Sequence, residues 1–257
     1  DRQVTADCAS HDVSVVWNVD AGPRTAFGPA VFSGLTTVKE SYLAGLIPWQ
    51  RGAPYDARTV ERFRKKLVSL ELFNAVQVDT GPVDPATGQA PIRVELTERK
   101  HRTVKGGLDY KTDEGPGANL GWDHRNLFGG GEKLAVAGSA SSIEQFGEAA
   151  FEKPDALTPK DLFKAKARVA NEDKKAYKGQ NATATATLRR QFTESVSGGV
   201  GLGYRASRIE KDESRPWESD ARYGFVFLPV ELGYDGRDDV LDPQKGLLAT
   251  ASLAPYW

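Results

Sequence analysis

The sequence predicts a small α+β module of order β-α-α-β-β, followed by an antiparallel transmembrane β-barrel. Three observations point there. Residues 56–71 carry apolar side chains at helical spacing, and strand-like segments flank them. From residue 103 onward the chain divides into about nine segments of alternating character separated by turns, as membrane barrels do. No apolar run approaches the ~18 residues of a transmembrane helix. Mean hydropathy is −0.47, which a barrel tolerates because its strands need apolar residues on one face alone.

The 257 residues suffice for one large domain or two medium ones. A net charge of −1 gives no reason to expect a nucleic-acid partner. Methionine is absent, so the sequence reads as a processed chain or a piece of a longer one, and no signal peptide is visible at Asp1. The single cysteine, Cys8, has no internal disulfide partner. It reads as a small turn residue, with a reactive thiol or a partner for a cysteine elsewhere as the alternatives.

Residues 3–7 and 13–20 read as two strands around a polar turn. They precede new strand material, just as the later hairpin at 73–79 and 92–98 does. Residues 1–22 are therefore expected to be the closing hairpin of a preceding repeat; coincidental β structure is the alternative. Residues 25–33 read as a strand. A short helix is expected from Thr37, where Thr37 and Glu40 make a capping-box pattern, ending before Pro48. The second helix spans 56–71. Asp56 is its N-cap, and Val60, Phe63, Leu67 and Leu70 form the buried face. Phe63, Leu67, Leu70 and Phe73 should pack beneath the sheet.

The barrel segments are expected at 104–111, 117–124, 133–141, 143–151, 162–171, 181–192, 196–209, 221–234 and 246–256. In the fifth, Phe163, Ala165, Ala167 and Val169 share one face, and Lys164, Lys166 and Arg168 share the other. The first set is expected to face lipid and the cations a wet lumen. A soluble sandwich of amphipathic strands is the alternative. Loops 172–180 and 210–220 are expected on the outer side. Turns 126–132, 193–195 and 235–245 are expected on the opposite side, which is the periplasmic one if the strand after the small module leaves the periplasm. Tyr256 and Trp257 are expected in an interfacial aromatic girdle.

Catalytic motifs do not emerge from the residues. His11, His101 and His124 are scattered, and each reads as a surface or lumen residue. Asp235, Asp238, Asp239 and Asp242 cluster without EF-hand spacing and read as a turn. The triple glycine 129–131 precedes a strand, so it reads as a turn rather than a phosphate loop. No cofactor, metal or enzymatic activity is expected.

Residues 22–38 (GPRTAFGPAVFSGLTTV) and 67–81 (LVSLELFNAVQVDTG) resemble a POTRA domain over residues 23–100. Residues 125–134 (RNLFGGGEKL), 151–157 (FEKPDAL) and 234–246 (YDGRDDVLDPQKG) look like the early barrel of the surface-antigen superfamily, which includes BamA-type, TamA-type and two-partner secretion proteins. The TamA type is favoured. The resemblance implies that 101–257 holds the N-terminal part of a sixteen-strand barrel in the bacterial outer membrane, with the POTRA domain in the periplasm. It implies a protein-assembly or translocation factor acting on unfolded outer-membrane clients, autotransporters among them, beside outer-membrane lipid and with a periplasm-spanning partner protein. The lateral-gate strand would hold Val104, Lys105, Gly106, Gly107, Leu108, Asp109 and Tyr110. Gly106 and Gly107 would weaken strand packing there or merely relieve crowding. The alternatives are a two-partner secretion-type transporter, or a passive porin or surface antigen.

Overall fold

A computed structural model describes residues 2–7, 12–17, 25–112, 115–174, 177–210, 221–239 and 242–257. Cys8, His11 and most of loop 210–220 lie outside the described residues. Strands β1 (Arg2–Asp7) and β2 (Asp12–Trp17) form an antiparallel hairpin. Next come β3 (Ala26–Ser33), α1 (Glu40–Ala44), α2 (Ala57–Ser69), β4 (Phe73–Thr80) and β5 (Gln89–Glu98). The sheet order is β3-β5-β4, with β3 parallel and β4 antiparallel to β5.

Burial explains this module. On β5, Ile92, Val94 and Leu96 are buried while Arg93, Glu95 and Thr97 face out, the two-residue period of a half-covered strand. Helix α2 lays Val60, Phe63 and Leu67 on that sheet, and Phe73 packs half-exposed against the same core. The Asp56 carboxylate accepts the Arg58 amide at 3.0 Å, which fixes the start of the helix. Trp49 seals one end, stacked on Phe27 at 4.9 Å and edge-on to Phe63 at 5.1 Å.

Helix α1 departs from expectation. It begins at Glu40, behind an N-cap Lys39 that makes no side-chain cap bond. The Thr37 hydroxyl, expected to cap it, donates instead to Glu98 Oε2 at 2.6 Å. The Glu98 carboxylate, 61 residues away, also accepts the Thr37 amide at 2.9 Å, the donor that Glu40 would take in a capping box.

The remaining strands form one antiparallel meander: β6 (Arg102–Lys111), β7 (Gly115–His124), β8 (Lys133–Ala140), β9 (Glu144–Pro154), β10 (Asp161–Lys174), β11 (Tyr177–Gln191), β12 (Val196–Ile209), β13 (Ala221–Phe227), β14 (Val230–Asp235) and β15 (Leu248–Leu253). The expected nine segments are ten strands because 221–234 splits at Leu228-Pro229. Proline has no amide to give the ladder. Its two halves pair with the two ends of β12. The charged stretch 172–180, expected as an outer loop, is mostly strand: Asp173 pairs with Lys178 across the hairpin and bonds its ammonium at 2.8 Å.

The register separates two faces. Phe163, Ala165, Ala167 and Val169 lie beside Leu188, Ala186, Ala184 and Ala182 of β11, which in turn lie beside Val200, Leu202, Tyr204 and Ala206 of β12. On the other face Lys164, Lys166 and Arg168 lie beside Thr187, Thr185 and Thr183. Lys164 bonds Glu152 at 2.8 Å, Lys166 bonds Glu148 at 2.9 Å, and Arg168 bonds Glu144 at 2.6 Å. The Arg168 guanidinium also lies 4.0 Å from the Phe146 ring centre. Tyr256 does not join an outward girdle. It bridges to Phe227 and stacks on it at 5.0 Å, and Phe227 shares the face of Arg205 and Gly203.

Candidate functional site

The candidate site is the free-edged strand β6 and the joint at its foot. Val104, Lys105, Gly106, Gly107, Leu108, Asp109 and Tyr110 all fall inside β6. Among the described residues β6 pairs with β7 and with no other strand. A ten-residue edge leaves roughly ten backbone donors and acceptors unpaired in the sheet. Val104, Leu108 and Tyr110 project to the apolar face; Leu108 is 88% exposed. Lys105 projects to the polar face and bonds Asp123 at 2.6 Å.

The two β6 glycines differ. A Cβ on Gly107 would come within 2.9 Å of the Asn119 amide, the far end of a side chain that can turn aside. A Cβ on Gly106 would reach nothing closer than Leu120 Cδ2 at 3.4 Å.

Residues 99–101 alone separate β5 from β6, and a dense polar network surrounds this link. Glu98 is its centre. Its carboxylate accepts the amides of Thr36, Thr37 and Val38 at 2.7–2.9 Å, and the hydroxyls of Thr36 and Thr37. Burial pushes the Glu98 pKa up. The Thr37 hydroxyl, the Thr36 and Val38 amides and the Thr36 hydroxyl outweigh it and hold the carboxyl well below the usual range. His101, expected at the surface or in the lumen, is 9% exposed, with Nε2 3.3 Å from Glu98 Oε2. His124 pairs across from Arg102 and sits half-buried beside the Trp122 ring.

Two turns of the sheet rim grip α1 and its flanks. In the β7–β8 turn, Asn126 donates to Thr37 Oγ1 at 3.3 Å, and the Gly129 carbonyl accepts the Lys39 amide at 2.9 Å. Glu132 closes the turn by accepting the Gly130 amide at 2.9 Å. Gly129 and Gly131 have φ of 91° and 75°. A Cβ at Gly129 would lie 2.9 Å from Lys39 Cγ, and one at Gly131 would lie 3.1 Å from the Tyr42 hydroxyl. At Gly129 and Gly131 the sheet rim thus lies close enough to the module to leave no room for a side chain without a shift. In the β9–β10 turn, Asp155 takes the left-handed conformation (φ 53°). It accepts the Tyr42 hydroxyl at 3.1 Å and faces Lys66 at 3.6 Å. Burial and then the Asp155 charge push the Tyr42 pKa up.

Lys164, Lys166 and Arg168 are distant in sequence and role: they belong to the ladder on the polar face. Sequence reasoning did not find Tyr42, Lys66, Glu98, Asn126 or Asp155 as site residues. It did single out both rim turns as motifs, and the structure shows what they hold. The four aspartates lie at the β14–β15 turn, where Asp238 Oδ1 accepts the Gln244 and Lys245 amides at 3.1 Å.

A family model described as the Omp85 superfamily domain matches residues 126–255. The outer membrane protein assembly factor BamA of Neisseria meningitidis serogroup B is 23% identical over 142 residues, which cover 55% of this chain and 18% of that protein. BamA of Buchnera aphidicola is 24% identical over 124 residues, covering 48% of this chain and 20% of that protein. Among solved structures, BamA from Haemophilus ducreyi lacking POTRA domains 1-3 superposes with a TM-score of 0.80 at 21% identity, over 100% of this chain and 53% of that one. CdiB from Acinetobacter baumannii superposes at 0.61 and 13% identity, over 91% and 46%. The chain therefore spans about a fifth of the length of these curated relatives and about half of the solved BamA.

Proposed function

The chain belongs to the Omp85 superfamily, and from that premise we propose that it acts in outer-membrane protein assembly or translocation. Its sheet lies in the bacterial outer membrane and residues 23–100 form a periplasmic POTRA domain. The observation that carries this reading is the joint: β6, the first strand of the sheet, follows within three residues of a module bolted onto the rim by side-chain and backbone bonds. Parted from its neighbours, the edge of such a first strand offers a client strand a ladder of backbone hydrogen bonds, each contributing a net ~1 kcal/mol. Exchange of one strand pair for another needs no nucleotide and no covalent step.

Two features support the membrane placement. The apolar face runs from Val104 on β6 to Leu253 on β15, and its opposite face holds the Lys/Arg–Glu ladder. Two connections on the module side, 125–132 and 155–160, hold the network above. The POTRA reading rests on the β-α-α-β-β order and on superposition of the whole chain with a BamA that lacks POTRA domains 1-3.

Of the finer assignments, an assembly-type role is favoured over a two-partner secretion-type transporter because both of these curated relatives are named outer membrane protein assembly factors. The TamA-type subgroup, autotransporter clients and a periplasm-spanning partner remain parts of the same proposal.

The test is site-specific photo-crosslinking in cells making the full-length protein. A crosslinker at Leu108 should capture unfolded outer-membrane proteins during their assembly, while one at Ala149, mid-sheet on β9, should not. Equal capture at both positions, or none at Leu108, would overturn the seam. A large open conductance of the purified protein, without client capture, would favour the passive porin.

A further inference from the structure

We propose that the cleft at the foot of β6 binds the phosphate of an anionic glycerophospholipid, held by Lys100 and Arg102 with Arg99 beside them. The cleft is open, about 720 Å³, and lies between the three-residue link, the end of β7 and the 125–132 turn. Arg99, Lys100, Arg102, His101 and His124 all line it. Neither Lys100 nor Arg102 has a salt-bridge partner among the described residues. One carboxylate, Glu98, shares the cleft, but its oxygens already take three amides and two hydroxyls. Three cations thus stand against one committed anion.

The register adds the lipid. Arg102 continues the row of Val104, Leu108 and Tyr110 on the apolar face, one place nearer the module, and lies opposite His124. From Val104 to Tyr110 the strand runs roughly 20 Å, close to the ~25 Å apolar band of outer-membrane barrels. Arg102 therefore falls where the apolar band ends, at headgroup level, with the Trp122 ring beside it on the same face. A guanidinium and an ammonium there meet a phosphate with charge-assisted hydrogen bonds, while the acyl chains lie along Val104 and Leu108. A bound headgroup would hold the bilayer against the unpaired edge.

The inference rests on the membrane-barrel reading above. Its test uses the full-length protein in an uncharged detergent, titrated with phosphatidylglycerol and followed by native mass spectrometry. Wild-type protein should show one saturable site. The double variant Lys100→Gln/Arg102→Gln should weaken it about tenfold or more, as expected for two lost charge-assisted contacts. Arg102→Lys, which keeps the charge, should lose less, and Lys164→Gln on the polar face should lose nothing. Diacylglycerol, which lacks the phosphate, should not compete. Displacement of the lipid by millimolar inorganic phosphate would overturn the lipid and assign the cleft to free anions. Wild-type affinity in a double variant whose barrel is folded, as judged by heat-modifiable gel migration, would overturn the site and leave the barrel standing. A protein that stays in water without detergent and enters no vesicle would overturn the barrel reading itself.

Discussion

The Glu98 carboxylate organises one turn of chain from the far end of the module, and its chemistry sets a pH signature. A carboxyl held well below its ordinary pKa stabilises the fold at pH above the unfolded value of about 4.3. That contribution is lost as pH falls from there through the lower folded value. Glu98→Gln replaces a charged acceptor with a neutral one and should cost ~1.5–3 kcal/mol. Native-state hydrogen exchange at neutral pH should show it as faster exchange of the Thr36, Thr37 and Val38 amides. The variant should also lose part of the wild-type stability decline below pH ~4; unchanged protection of those three amides would remove Glu98 from the network. Leu67, fully buried under the sheet, should cost ~2–5 kcal/mol on truncation to alanine, measurable by urea unfolding. Leu67 was legible in the sequence because its partners recur three and four residues away. Glu98 was not, because its donors lie 60–62 residues away and no local pattern ties them together.

Helix α2 and strands β10 and β11 were readable because each carries apolar residues on one face and polar ones on the other, and therefore one period. Helix α1 was misplaced because its start depends on that distant carboxylate rather than on the local Thr37–Glu40 pair. The 172–180 stretch was misread for a related reason. Charged residues there resemble a loop, yet Asp173 and Lys178 satisfy each other across the hairpin and let the strands run on. Proline 229 was visible, but the alternation continues on both sides of it and concealed the split between β13 and β14. For β10 the faces make a direct prediction. Val169 is 60% exposed on the apolar face, while Arg168 bonds Glu144 on the other. Val169→Arg should cost ~2–4 kcal/mol in lipid if it lies near the bilayer midplane. Arg168→Val should cost less, since a half-exposed ion pair contributes modestly. Folding into vesicles in urea would rank them; equal effects would count against a lipid-facing Val169.

At the level of the whole molecule, the described sheet has unpaired edges at β6 and β15 and one continuous apolar face. Residues 101–257 made alone in water should aggregate, since free edges beside apolar surface recruit other chains. A monodisperse, water-soluble monomer with protected β15 amides would instead indicate a soluble sandwich. The organisation into module and meander was legible in the sequence. Their mutual fit was not: Tyr42–Asp155, Lys39–Gly129 and Asn126–Thr37 each join residues from the two halves. That fit has a kinetic corollary. With three residues of link and two turns clamped on α1, the module cannot swing far from β6. A polypeptide resting on the module would meet the strand edge as an intramolecular neighbour, at an effective concentration on the order of millimolar. Strand pairing with a dissociation constant of about a millimolar would then be half occupied, where micromolar free client would leave it almost empty.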